Sequence, residues 1–211
     1  MLATQGVRGT MMKLLEGKRL FVPVALILFG FVHSQIVAAG TYVGALPFVM
    51  APTADMAFVL FFFAFTASSL MRLAPGPGPK FLMRNRRYIG LSFALVHGVH
   101  GALVLSNLAL TPETRSIPEL MAGGLAYLFL GLMAITSNNA AVRQLGAKRW
   151  KLLHKVGSYY IWLIFLATSL GRLAKDGPEF ARLWIPALCL LALGLRIAAH
   201  RRGKARKATQ P

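Results

Sequence analysis

RNRRYIGLSFALVHGVHGALVLSNLAL, residues Arg84 to Leu110, begins with a basic cluster. From Tyr88 it continues for 23 residues with no acid, lysine or arginine. An α-helix rises about 1.5 Å per residue, so roughly 17–25 apolar residues cross the hydrocarbon core of a bilayer. The stretch therefore predicts a membrane span with a basic foot. Working outward, five more such runs appear: Leu20 to Gly40, Asp55 to Met71, Pro118 to Ile135, Leu152 to Leu170 and Leu183 to Ala199. The apolar segment Tyr42 to Pro52 is interrupted by Pro47 and Pro52 and reads as a connector near the outer face. Ala74 to Pro79 (APGPGP) reads as a stiff turn between the second and third spans. The expected fold is an all-α integral membrane protein, a six-transmembrane-helix bundle. Its transmembrane domain, residues 20–199, is flanked by a basic segment, 1–19, and a basic tail, 200–211.

Composition points the same way. Of 211 residues, 56% are hydrophobic and 14% charged, and the mean hydropathy is +0.58. Soluble domains carry about 25% charged residues, and a surface this poor in charge is not that of a soluble enzyme. The net charge of +18 would suggest nucleic acid in a soluble chain. Here the basic residues sit in short clusters between apolar runs, the pattern of a membrane protein, so no nucleic-acid partner is expected. The single cysteine, Cys189, lies within an apolar run and forms no internal disulfide.

The basic clusters also give orientation. Segment 1–19, the loop after the second span, the loop entering the fifth span and the C-terminal tail hold twenty of the 24 Lys and Arg residues, with Glu16 as the one acid among them. The opposite side holds Arg115, Arg172, Lys175 and Arg182 with Asp55, Glu113, Glu119, Asp176 and Glu179. The positive-inside rule places both termini in the cytoplasm. The first apolar run is longer than a signal-peptide core and reads as an uncleaved span. The tail after His200 reads as an anchor drawn to anionic lipid. The expected location is a bacterial inner membrane, crossed several times, with the lipid bilayer as the first partner.

An ionisable side chain inside a membrane is costly and is a functional candidate by default. The acids fall in loops or at run ends, which disfavours a proton-coupled transporter and paired-carboxylate catalysis. The apolar runs contain His33, His97, His100 and His154. Neutral imidazole is a common transition-metal ligand, and haem iron takes it axially. Each histidine alone could equally bond a neighbouring helix; several together, without interior acids, favour a cofactor. His97 and His100 are three residues apart and share a helix face. Gly98 and Gly101 beside them either leave room for a flat ligand or allow close helix packing. Trp150, Tyr159, Tyr160 and Trp162 either line an electron path or, as the better reading, anchor and pack the fifth span.

Two motifs in order carry a resemblance. Arg86 to Leu91 (RRYIGL) precedes the apolar run to His100, and Ile135 to Asn138 (ITSN) precedes Arg143 to Gly146 (RQLG), Trp150, Leu153 and His154. Together they resemble the ferric-reductase-like transmembrane domain family over roughly residues 74–170. Within it the pattern is most similar to the haem-binding membrane subunits of bacterial methionine sulfoxide reductase systems. The resemblance implies b-type haem, one or two, electron transfer across the membrane, and His100 and His154 as iron ligands. It also implies a separate redox partner, with quinone or FMN as a further cofactor at the inner face. Enzyme activity would need that partner.

The chain departs from the family at one position. A second histidine usually follows about thirteen residues after the first in the fifth span, and here Ala167 stands there. Counting from the basic feet, His100 lies about 20 Å deep, His97 about 15 Å and His154 about 5 Å, too far apart for His100 and His154 to share one upright haem. His33 lies about 21 Å beyond Arg19, level with His100. The expectation is a His33/His100 haem, with His154 at a second, weaker or empty site; the bland alternative makes His33 a buried polar residue bonded to a neighbour. The competing function is a haem-free membrane scaffold or assembly partner on the same fold.

Overall fold

The computed structural model describes residues 16–177 and 180–208. Most of the expected basic N-terminal segment, Glu179 and the last three residues of the tail lie outside them. After a 3₁₀ turn at Gly17–Leu20 come seven helices: α1 Phe21–Ala39, α2 Tyr42–Leu73, α3 Pro77–Leu110, α4 Ile117–Ile135, α5 Asn139–Leu145, α6 Ala147–Asp176 and α7 Phe180–Ala208. No strand occurs among the described residues. Six of these helices, all but the short α5, are long and apolar enough to cross a membrane. The chain is a multi-pass membrane protein.

The helix ends follow from local chemistry. Gly40, at φ 71°, ends α1 in a left-handed turn that a side chain would strain. Ser116 and Glu119 form a reciprocal capping box at the start of α4, satisfying two of its orphan N–H groups. The Asn138 side chain accepts the Ala141 N–H at 2.8 Å and starts α5. Gly146, at φ 76°, makes the tight passage from α5 into α6.

Two boundaries differ from the sequence reading. The stiff turn is only residues 74–76, because Pro77 opens α3, where its fixed φ suits a first turn and its missing N–H costs nothing. More consequentially, Tyr42 to Pro52 is not a connector but the first turns of α2, which runs through both prolines. Proline breaks helices in water, but a membrane offers exposed backbone no alternative partner, so the helix persists. At 32 and 34 residues, α2 and α3 would span about 50 Å each, well beyond a hydrocarbon core of about 30 Å. The extension of α2 also moves Asp55 from a helix end to the fourteenth residue of a helix, so the acids are not confined to loops and ends.

The chain forms two compact units. The first comprises residues 1–60 and 87–114: α1, the first half of α2 and most of α3. Its core is the fully buried Leu46, Val49 and Leu103, against which Phe31 and Val32 of α1, Met50 of α2 and Val99 of α3 pack. The second comprises residues 61–86 and 115–211: the rest of α2, the foot of α3 and α4–α7. Here α6 is central, packed on both α4 and α7. Its aromatics are spent on packing. Tyr160 Oη donates to the Ala122 carbonyl (3.1 Å), Trp162 Nε1 to the Cys189 carbonyl (3.0 Å) and Trp150 Nε1 to the Thr136 carbonyl (2.9 Å). Gly157 lets α6 approach α4: a Cβ there would lie 2.9 Å from Met133 Sδ.

Candidate functional site

His100, in the first unit, is oriented by a threonine of α2. Thr53, 0% exposed, sets its hydroxyl 2.7 Å from the Val49 carbonyl and 3.0 Å from that of Met50, so its one proton is directed into its own helix. Its oxygen lies 3.2 Å from His100 Nδ1 and can only accept there. Nδ1 therefore carries the hydrogen and donates to Thr53. The hydrogen-bond network thus assigns the tautomer, with the lone pair on Nε2. This is the arrangement that presents an imidazole to a metal: the outer nitrogen fixed, the inner one basic.

His97 is buried and lies in an aromatic stack along α3. Its ring is 5.3 Å from that of Phe93, at 25°, and 5.4 Å from that of His100, at 21°. Two near-parallel rings stacked on one helix cannot grip the opposite faces of a macrocycle. His97 and His100 are therefore alternatives or neighbours, never an axial pair. A Cβ at Gly98 would meet no atom within 4 Å, so there is open space beside the histidines, while Gly101 is buried. His33 stands on α1 next to Val32, which packs on the core with Val99. Its side chain is exposed and makes no hydrogen bond or ring contact with a described residue. Its exposure sets aside the bland alternative of a buried polar residue bonded to a neighbour.

His154, in the second unit, is tied down in a mirror of this arrangement. Thr136 Oγ1 donates to the Leu132 carbonyl at 2.6 Å and lies 3.2 Å from His154 Nε2. Here the hydrogen belongs on Nε2. The Trp150 ring lies over the imidazole, centroids 4.2 Å apart, and its N–H is bound to the Thr136 carbonyl. Trp150, Thr136 and His154 thus form a closed clamp at the turn between α4 and α6. His100 meets its threonine through Nδ1, whereas His154 meets its threonine through Nε2. Thirteen residues on, Ala167 supplies no donor atom.

The donor set suits haem in the first unit. Among the described residues, no group of three or more His, Cys, Asp or Glu side chains comes together to hold a bare ion. Haem iron asks the protein for only one or two ligands, and an imidazole such as that of His100 is of the kind that could serve. Thr53 was missed in the sequence because a mid-helix threonine leaves no periodic signal, and Thr136 because it stands just past the end of α4. Thr136 lay inside the ITSN motif, which marked the place without revealing the role.

Comparison with known proteins gives a consistent answer. The family described as "Ferric reductase like transmembrane component" matches residues 52–167. A protein-methionine-sulfoxide reductase heme-binding subunit, MsrQ, from Ralstonia nicotianae is 30% identical over 186 residues, 82% of this chain and 81% of that protein. Subunits of the same name from Polaromonas naphthalenivorans and Cronobacter sakazakii are 33% and 37% identical; the matches cover 56% and 53% of this chain, and 57% and 56% of those proteins. No solved structure matches the chain.

Proposed function

Because this chain belongs to the ferric reductase-like transmembrane component family, we propose that it is a b-type haem-binding subunit passing electrons across a bacterial inner membrane. The observation that supports the reading is the Thr53–His100 contact, which orients the imidazole through Nδ1. Bound haem would supply a one-electron Fe(III)/Fe(II) couple, shielded by hydrocarbon from water and side reactions. His100 holds the iron; Thr53 orients the ring and, by accepting the Nδ1 hydrogen, makes it a stronger donor. His97 stacks on it, with Phe93 stacked on His97 in turn, and restrains its turning.

His33 is the second ligand in this proposal. Its support is its level on α1, beside a residue packed against the α2–α3 core, and a side chain not committed to other structure. We assign one haem to the chain, not two, because His154 is engaged by Thr136 and Trp150 and position 167 is alanine. Both termini face the cytoplasm. Electrons come from a separate redox partner or the quinone pool, a bound quinone or FMN at the inner face being the natural relay.

The test is an oxidised-minus-reduced absorption spectrum of the purified chain, with haem counted as the pyridine haemochrome. A sharp reduced α-band and one haem per chain are expected. His100→Ala should abolish them, and His33→Ala should convert a low-spin spectrum to high-spin. A low-spin spectrum unchanged by His33→Ala would remove His33 from the site. Ala167 favours a second reading, a haem-free scaffold on the same fold. That reading prevails if no Soret band forms in protein expressed with ample haem.

A further inference from the structure

At the basic ends of α2, α6 and α7, within the second unit, a cavity of about 260 Å³ is lined by Ser68, Ser69, Arg72, Lys155, Tyr159, Arg196, Ala199 and His200. Three helices contribute one turn each. Two arginines, a lysine and a histidine converge with two serines and a tyrosine, and no carboxylate among the described residues lines the cavity. Like charges repel one another, so such a convergence costs stability unless an anion neutralises it.

The two arginines are held in place by the fold, while Lys155 and His200 stand exposed at the rim. Arg196 donates from Nε to Tyr159 Oη (2.9 Å) and from one Nη to the Phe65 carbonyl (2.7 Å). Its guanidinium lies 4.2 Å above the Phe65 ring centroid and 4.7 Å from that of Tyr159. Its third nitrogen is left for a ligand. Arg72 donates from one Nη to the Ala199 carbonyl at 3.1 Å, keeping its other nitrogens. Gly203 makes room for it, since a Cβ there would lie 3.0 Å from Arg72 Nη1. Planar guanidinium groups presented at fixed angles suit a tetrahedral oxyanion. The volume falls below the roughly 300–1,000 Å³ of sites for drug-sized ligands. It suits a phosphate group with a short substituent rather than a macrocycle or a flavin ring.

We propose that this cavity, built by Arg72, Lys155, Arg196 and His200, binds one phosphate-ester anion. Its source is an anionic phospholipid headgroup or a soluble phosphate. Basic pockets between spans at the positive face of a membrane protein are where such headgroups settle. The inference is independent of haem binding.

The experiment is thermal unfolding and native mass spectrometry of the full chain in neutral detergent, with added phosphatidylglycerol, phosphatidylcholine or inorganic phosphate. Phosphatidylglycerol should be retained and raise the melting temperature, and phosphatidylcholine should do neither. The double variant Arg72→Gln/Lys155→Gln should bind roughly 30-fold more weakly, from two lost surface charges. Lys80→Gln/Lys148→Gln, which removes the same charge elsewhere, should bind as the parent does. Should the double variant misfold, Lys155→Gln alone serves, with about a fivefold loss. Protection by phosphatidylglycerol alone identifies a lipid; protection by inorganic phosphate, abolished in the same variant, identifies a soluble ligand. No anion-dependent effect in the parent, or an effect equal in the two double variants, overturns the proposal.

Discussion

Thr53→Val separates orientation of His100, the proposed haem ligand, from mere packing. Valine has nearly the shape of threonine, and Thr53 is fully buried, so the substitution leaves no cavity. What it removes is the hydroxyl oxygen 3.2 Å from His100 Nδ1. The hydroxyl's bond to the Val49 carbonyl is lost too, but that carbonyl keeps its place in the backbone ladder of α2, so the loss is minor. A hydrogen bond that orients a metal-bound histidine typically sustains about 10–100-fold of metal affinity. The expected result is haem affinity reduced by a factor in that range. The midpoint potential should rise, because an imidazole whose Nδ1 hydrogen is less tightly held donates less to Fe(III). Haem titration of the apoprotein and a redox titration in detergent measure both. Thr53→Ser, which restores the oxygen, should recover most of the loss. Parent-like affinity and potential in Thr53→Val, with His100→Ala still devoid of haem, would refute the orienting role.

The remaining expectations concern the second unit and the topology. His154→Gln should retain the full haem content and lose about 1 kcal/mol of stability, as a hydrogen bond and a ring contact would predict; a halved haem count would show that His154 is a ligand after all. Gly157→Leu should destabilise the chain by roughly 1–3 kcal/mol by forcing Met133 and Phe129 away from α6, whereas Gly98→Ala, with nothing within 4 Å, should leave the melting temperature unchanged. Reporter fusions at the two termini should be active as cytoplasmic fluorescent proteins and inactive as periplasmic phosphatases; phosphatase activity at either end would contradict the orientation.

How far the sequence could be read depended on the kind of signal each feature leaves. A span needs some twenty apolar residues, and all six announced themselves by length alone. The error at Tyr42 to Pro52 came from applying to a membrane helix a rule learned in water. An interrupted helix in water can give its unbonded carbonyls to solvent, whereas in hydrocarbon the remaining bonds of α2 are worth keeping around Pro47 and Pro52. That misreading also hid Thr53, one residue after Pro52, between the supposed connector and the span read from Asp55. The histidines were visible because ionisable groups are rare in apolar runs, but their tautomers were not. A tautomer depends on which nitrogen meets an oxygen on another helix, and spacing along one helix holds no such information.

The contrast between His100 and His154 shows what that missing information decides. Both are histidines in apolar helices, both match motif positions, and both meet a threonine whose proton is directed to its own helix. Yet Nδ1 meets the threonine in one and Nε2 in the other, so the two rings present different edges. Nδ1 lies next to the Cβ attachment, so a planar macrocycle approaching it meets the histidine's own backbone; Nε2 projects clear of it. To ligate through Nε2, His154 would have to leave Thr136 and slide from beneath Trp150, while the position thirteen residues on offers only a methyl group. The alanine at 167 and the closed clamp at 154 thus both argue against a second haem in this unit. Without a partner for a second haem, an imidazole in this half of the chain is more stable as a strut between α4 and α6 than as an open coordination site. A double variant makes this argument testable. Ala167→His with Thr136→Val should restore a second haem if the clamp and the missing ligand are what exclude it, and the pyridine haemochrome should then count two haems per chain. A count that stays at one would place the obstacle in the packing around α6 rather than in its donor atoms.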